Sequence, residues 1–423
     1  MLQVAFIRNN KEEVIQRLAV KNFAELNLVD EILLLDNERK SIQFKLDGTQ
    51  SVIKIGSKEV GKFLKEGKPE EAEKLKDDIA KAKSAAAELS KNLAEIENEL
   101  HQKIIMLPNL PSDKVPPGKT PADNIVVRTG GTEPKLSANA LPHWDLIKKY
   151  DIVDFETGAK ITGSGFPLYK GKGAKLQRAL IQYFLDFNTA AGYTEYLPPF
   201  MVNEATAYGT GQLPDKEGQM YYMQADNFYM IPTSEVPVTN IYRDEIVKEE
   251  NLPIKMTAYS PCFRREAGSF GKDVRGLNRV HQFDKVEIVQ LVHPEKSYEM
   301  LEEMVSHVEK LLNTLELPYR ILKLCGGDMS FASALTYDFE VFSAAQQKWL
   351  EVSSVSNFES FQTNRMKIRF KDSNGKMQLV HSLNGSSLAL PRIVACLLEN
   401  NQTAEGINIP LSLHSYFGAE SLY

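Results

Sequence analysis

Residues Ala72–Leu100 read AEKLKDDIAKAKSAAAELSKNLAEIENEL. Ala72, Leu75, Ile79, Ala82, Ala86, Leu89, Leu93, Ile96 and Leu100 alternate spacings of three and four, and Glu and Lys crowd the positions between them. That is the apolar seam of a helix paired with another along its length. A weaker seam precedes it at Ile32, Leu35, Arg39, Ile42, Leu46, Thr49, Ile53, Gly56, Val60 and Phe63. Between the two stands Glu66-Gly67-Lys68-Pro69, a helix stop followed by a helix start. So short a connection folds the helices back antiparallel, each roughly 55 Å long. Gly56 and Gly61 are expected to weaken the first helix by about 1 kcal/mol each relative to Ala.

Such an arm serves either oligomerisation or a partner. Lys54, Lys58, Lys62 and Lys65 lie off the seam, near the tip, at spacings that form one stripe. Residues 54–68 hold five lysines against Glu59 and Glu66 in a chain of net charge −6. Exposed lysines commonly form only a solvated face, but a basic stripe on a rod also suits a phosphate backbone.

Outward from the arm, the composition is that of a folded soluble protein, 43% apolar and 25% charged. No apolar run is long enough for a membrane span. Met1 to Ile7 lacks the basic start of a secretory signal. Cys262, Cys325 and Cys396 are too far apart for a disulfide framework or a zinc knuckle, which fits a reducing cytoplasm and predicts no zinc.

After Leu107 the periodicity ends. Pro108, Pro111, Pro116, Pro117, Gly118, Pro121, Gly130, Gly131 and Pro134 read as a linker over 109–140. The expected organisation is an N-terminal domain over 1–108, its arm at about 30–105, and a body over 141–423. In the body, Leu176–Ala191 and Tyr298–Leu315 read as helices. Phe228–Ile231, Lys255–Tyr259, Val286–Val292, Arg320–Leu324 and Lys367–Phe370 read as strands. Strands outnumber crossover helices, so the fold class is α+β, an antiparallel sheet flanked by helices rather than a Rossmann fold. No glycine-rich phosphate loop of the Walker or dinucleotide type follows a strand.

Four constellations carry chemistry. The first is Gly192-Tyr193-Thr194-Glu195-Tyr196-Leu197-Pro198-Pro199-Phe200. The second is Phe263-Arg264-Arg265-Glu266, a Gly-rich loop with Lys272 and Arg275, then Val280-His281-Gln282-Phe283-Asp284-Lys285-Val286-Glu287. Glu351-Val352-Ser353-Ser354 is the third, and Gly385-Ser386-Ser387-Leu388-Ala389-Leu390-Pro391-Arg392 the fourth.

These constellations resemble motifs 1, 2 and 3 of the class II aminoacyl-tRNA synthetases. Thr233-Ser234-Glu235, Asn364-Arg365-Met366, the start Ile7-Arg8-Asn9 and the two-helix arm resemble the serine-specific family within that class, along essentially the whole chain. The resemblance implies activation of L-serine with ATP and Mg²⁺, transfer of serine to the serine tRNA and to any selenocysteine tRNA, and a homodimer through motif 1, around Leu176–Phe200. It places Arg264, Arg265, Glu266, Val280, Phe283, Glu351, Val352, Ser353, Ser354 and Arg392 on ATP. Arg264 and Arg392 carry the catalytic charge, and Glu351 with Ser354 the metal. Thr233, Ser234, Glu235, Glu287 and Ser387 match the serine-binding positions. The arm, with Lys54, Lys58, Lys62 and Lys65, becomes the tRNA-binding element.

The residue types suit that chemistry. In adenylate formation a carboxylate attacks the α-phosphate, so two anions approach and charge builds on phosphorus. Guanidinium groups, always charged and bidentate, answer that need. A pocket built to hydrogen-bond a hydroxyl rejects analogues lacking one. Bland readings stand beside these: Arg264 and Arg392 in surface ion pairs, Phe283 in the core, Thr233 as a helix cap. His281 is expected to be structural, because the substrate carboxylate is already ionised. Pro391, where the family commonly has a small residue, fits the first turn of a helix. His414-Ser415 stands where the family often has Arg-Pro. A different class II enzyme and an inactive RNA-binding scaffold are the rival readings; an intact Arg264, Glu266, Glu351 and Arg392 set disfavours the second.

Overall fold

The computed structural model describes residues 1–267 and 275–423; Lys272 lies outside the described residues. They fall into two units. Met1–Ala19 with Phe23–Pro108 form one, and Val20–Asn22 with Asn109–Tyr423 the other.

The first unit is helical: α1 (Val4–Asn9), α2 (Lys11–Val20), α3 (Leu28–Lys65) and α4 (Pro69–Ile104). Every residue of both expected seams is buried or half-buried, and Lys54, Lys58, Lys62 and Lys65 are all exposed. Gly67, at φ +72°, makes the reversal between the two long helices. Gly56 is more than a weak point. A Cβ there would lie 3.1 Å from Ile79 Cγ1 and 3.7 Å from Leu75 Cδ1, so its missing side chain lets α3 and α4 close. Gly61 faces open space. Near the base of the arm, Asp36 is 1% exposed. Arg8, Arg39 and Lys40 all pair with it, which compensates the buried charge.

The second unit is built on an eight-stranded sheet among the described residues. In chain order its strands are β1 (Ile125–Gly130), β2 (Thr194–Tyr196), β3 (Ile254–Phe263), β4 (Gln282–Val292), β5 (Tyr319–Lys323), β6 (Leu335–Ser343), β7 (Lys348–Asn357) and β8 (His381–Ala389). In space they run β1-β5-β6-β7-β8-β4-β3-β2. All neighbours are antiparallel except β2, which is parallel to β3. Helices α5 (His143–Lys149), α6 (Gly171–Ala190), α7 (Glu235–Thr239), α8 (Ser297–Thr314), α9 (Phe361–Met366) and α10 (Leu390–Asn400) belong to the same unit. Leu180 and Phe184 of α6, Leu301, Val305 and Leu312 of α8, and Ile393 and Leu397 of α10 join Phe339, Val355 and Leu383 of the sheet in one core. Burying side chains of this size stabilises by about 1.5–3 kcal/mol each.

One expectation is corrected. Residues 109–130, the first part of the expected linker over 109–140, are built into the second unit. Asn109 donates to Ala332 O at 2.9 Å and Phe358 O at 2.8 Å, Ser112 N donates to Ala334 O, and residues 125–130 are the edge strand paired with β5. The prolines and glycines mark turns between short pieces whose backbone groups the body satisfies.

Candidate active site

Motif 2 is a hairpin. β3 carries Arg264 just past its end, and β4 returns in register, with Phe283 opposite Cys262 and Glu287 opposite Ala258. Side chains on a strand alternate faces, so Phe283, Lys285 and Glu287 share one. All three line a cavity of roughly 690 Å³. From β7 come Glu351 to Ser354, from β8 Asn384 and Ser386, and from the start of α7 Glu235, with Thr233 just before it. Arg264, Glu266, Val280 and Arg392 complete the part of the lining that sequence reasoning named.

At one end the side chains are arginine and aromatic. The Arg264 guanidinium lies 5.2 Å from the Phe283 ring centre, and its Nε donates to Pro232 O at 3.3 Å. Arg279 pairs with Glu266 at 2.8 Å. Arg392 donates through Nε to Asn278 O at 3.1 Å and through Nη1 to Glu351 O at 2.7 Å. Pro391 occupies the first turn of α10 and lines the cavity; its missing N–H is one that a helix start leaves unpaired anyway.

At the other end two carboxylates are buried, Glu235 at 7% and Glu287 at 1% exposure. Glu287 pairs with Lys285 at 2.6 Å and accepts from Asn384 at 3.0 Å and from Thr233. Glu235 accepts from Gln362 at 2.7 Å. Burial first, and then the Glu287 charge, pushes the Glu235 carboxyl up to about 7, against the pull of Gln362, Lys285 and Arg264. Burial likewise raises Glu287, with Lys285 opposing it most strongly.

Three expected residues are not brought into this cavity. Ser387 is fully buried and donates to Asn188 Oδ1 on α6, whereas Asn384 and Ser386 line the site. Because β8 alternates faces, a serine one position along points away; the serine on the cavity side is Ser386, 3.5 Å from Glu287 Oε2. A bulge where β8 meets β4, with Leu388 at φ +75°, keeps Ala389 in the lining. Ser234 is buried against Ser260 at 2.6 Å. Arg265 is exposed between Arg264 and Glu266 and contributes its backbone N–H to Gln219 O. Thr233 lines the cavity and also accepts from Glu235 N at 3.2 Å, but the cap position of α7 is Ser234. His281 stacks on Phe166 and contacts Arg264 O at 3.1 Å, a structural placement. His414 bonds to Ile409 O at 2.8 Å.

Lys285, Asn384, Ser386, Arg279 and Gln362 were missed. The alternation of Phe283, Lys285 and Glu287 was a usable signal for Lys285. Gln362 had none, since α9 meets Glu235 only through the tertiary fold.

The family profile described as the seryl-tRNA synthetase N-terminal domain matches residues 1–111. The class II core domain of the glycine, histidine, proline, serine and threonine synthetases matches residues 221–401. A serine–tRNA ligase of Salinibacter ruber is 48% identical, over 99% of this chain and 98% of its own. The crystal structure of the Pyrococcus horikoshii seryl-tRNA synthetase complexed with ATP superposes with a TM-score of 0.93 at 32% identity, covering 100% of this chain and 99% of that one. The cytoplasmic serine–tRNA ligase of Naegleria fowleri in complex with AMP gives 0.88 at 27%, covering 100% and 98%. With both domains matched in order and relatives aligned from end to end, this chain belongs to the seryl-tRNA synthetase family.

Proposed function

We propose that the chain activates L-serine with ATP, releasing pyrophosphate, and passes serine from seryl-adenylate to the serine tRNA. The observation that carries this reading is the union, in one cavity, of Arg264, Phe283 and Arg392 with the buried acidic pocket of Glu235 and Glu287. Arg264 lies over Phe283 and its charge also acts on Glu235 and Glu287, so it can serve both the serine carboxylate and the α-phosphate. The carboxylate oxygen attacks phosphorus, pyrophosphate leaves, and no base is needed. Adenine stacks on Phe283, Glu266 meets its amino group, and Val280 lies beside the base. Arg392 takes the γ-phosphate. A ribose hydroxyl at the tRNA 3′ end then attacks the acyl carbon and AMP leaves. Serine-dependent ATP–pyrophosphate exchange tests this function; exchange with another amino acid instead would refute it.

The donor set at Glu351 fits the magnesium ion that accompanies ATP. Its carboxylate is half-exposed, Ser354 lines the same cavity, and the Ser354 hydroxyl donates to Asp338. Among the described residues, Asp338 Oδ1 has no hydrogen-bond partner, and burial together with the Glu351 charge pushes its carboxyl well above the usual range. Carboxylate, hydroxyl and phosphate oxygens are the ligands magnesium takes. Glu351 and Ser354 would hold the ion, which supplies neutralisation of phosphate charge.

Serine's ammonium and hydroxyl are recognised by Glu235, Glu287, Thr233 and Ser386. Glu287→Ala is expected to raise the serine KM about a hundredfold, because a charge-assisted hydrogen bond is lost and Lys285 is left unpaired. The ATP KM should move little; an unchanged serine KM in exchange kinetics would remove Glu287 from the pocket.

pH dependence follows from Glu235. Its raised pKa of about 7 keeps the empty site largely protonated below neutrality, and the ammonium binds the ionised form. The serine KM should therefore rise by about tenfold between pH 8 and pH 6, and Glu235→Gln should flatten that slope. A parent enzyme with a pH-independent serine KM would contradict this role.

The protein is proposed to be a cytoplasmic homodimer assembled around Leu176–Phe200. After β2, Leu197 is 76% and Met201 50% exposed, apolar surface that a second copy would cover. No described helix is long and apolar enough to cross a membrane. Sedimentation at micromolar concentration should give the dimer mass, and a monomer would contradict it. The arm, with Lys54, Lys58, Lys62 and Lys65 exposed on it, is assigned to the serine tRNA and to any selenocysteine tRNA.

A further inference from the structure

One buried polar cluster lies outside the machinery described so far. His143, at the start of α5, is fully buried, as is Glu399 of α10. The imidazole Nδ1 lies 2.7 Å from Glu399 Oε1, and the His143 backbone N–H donates to the same oxygen at 2.8 Å. Gln346 adds a third donor at 2.7 Å, while the Ser343 hydroxyl donates to Glu399 Oε2. Burial alone would raise this carboxyl; the hydrogen bonds from His143 and Ser343 overcome it and hold it below the usual range.

On its far side, His143 Nε2 accepts from the backbone N–H of Leu277 at 2.8 Å. A ring that donates to a carboxylate through Nδ1 and accepts through Nε2 is a neutral imidazole in one tautomer. The turn it holds, Gly276–Asn278, is pressed against it. Gly276 has φ +61°, and a Cβ there would come 2.3 Å from His143 Nε2. Asn278 closes the circuit by donating to Gln346 Oε1 at 3.0 Å. The same turn reaches the site: Asn278 O receives Arg392 Nε, and the next residue, Arg279, pairs with Glu266.

We propose that His143, oriented by Glu399, is a positioning residue for the ATP half of the site, acting through the Gly276–Asn278 turn. It does not itself line the cavity. It fixes the backbone carbonyl that aims Arg392 and the start of the segment that places Arg279, Val280 and, through Arg279, Glu266. Groups that orient the ligands of a site in this way have effects out of proportion to their distance from the chemistry. The inference rests on the ATP-site reading given above.

The two ring nitrogens have separate jobs, and two variants separate them. His143→Asn keeps a donor near the Nδ1 position for Glu399 and loses the acceptor for Leu277. His143→Gln places an amide oxygen near the Nε2 position. In ATP–pyrophosphate exchange with the full-length enzyme, His143→Asn is expected to raise the ATP KM by about ten- to a hundredfold. The serine KM should stay within about twofold, and His143→Gln should recover most of the loss. Gln346→Leu, which cuts the link to Asn278 and one of the donors to Glu399 while leaving the His143 ring in place, should raise the ATP KM by a smaller factor, and it provides the readout should both His143 variants misfold. Equal changes in both KM values, or an unchanged ATP KM in all folded variants, would overturn the proposal. If the parent enzyme gives no serine-dependent exchange, the functional reading fails instead.

Discussion

Arg264→Ala is expected to slow serine-dependent ATP–pyrophosphate exchange by about a thousandfold while leaving the thermal unfolding midpoint within a few degrees of the parent. The magnitude is that of removing one preorganised donor from a site where charge develops in the transition state. The small effect on stability follows from the surroundings. Arg264 lies on the cavity wall, and its Nε has a backbone carbonyl as partner in Pro232. Its guanidinium sits over Phe283, and removing that cation–π interaction costs about 1 kcal/mol. Binding of serine and ATP should weaken less than turnover, since the interaction is strongest when carboxylate and α-phosphate are closest. Exchange within tenfold of the parent would remove Arg264 from the reaction.

Shortening the arm is expected to separate the two half-reactions. All the chemical motifs lie beyond residue 190 in the second unit, so loss of the arm should spare activation and abolish charging of tRNA. Removing Ile32 to Ile104 is the full test, but it also strips Asp36 from Arg8. Replacing residues 44–89 with a short turn leaves that pair and both helix bases in place. A gentler version reverses Lys54, Lys58, Lys62 and Lys65 to Glu. All four are exposed, so folding should be unaffected, while tRNA binding weakens and its salt slope falls by about 0.9 for each phosphate no longer neutralised. Normal charging by the shortened enzyme would make the arm a structural element only.

The arm was legible because a two-helix seam is a local, one-dimensional signal. Each seam residue from Ile32 to Leu100 lands on the paired faces. Gly56 shows the limit of reading propensity alone: its role appears only when Ile79 is seen opposite it. The motifs placed Arg264, Glu266, Phe283, Glu351 and Arg392 in one cavity, since residue type and order specify them strongly. Which of two adjacent serines faces that cavity was beyond them. Ser386 rather than Ser387 was fixed by strand register, and Asn384 two residues earlier gave the consistent face. Arg265, past the end of β3, is exposed between Arg264 and Glu266. Residues 109–130 misled because prolines and glycines mark breaks in periodicity and say nothing of whether the pieces between them pair with a distant strand such as β5. The His143–Glu399 pair is invisible for a related reason, a separation of 256 residues along the chain.

The most direct measurement is ATP–pyrophosphate exchange by the purified full-length chain with each of the twenty standard amino acids in turn, in the presence of magnesium. Rapid exchange with serine is the expected result. Alanine and glycine, which lack the hydroxyl, should fall several orders of magnitude lower, because the polar groups around Glu287 would be left unpaired. Threonine and cysteine should be weaker than serine. Exchange with a different amino acid, or none with serine, would contradict the central claim.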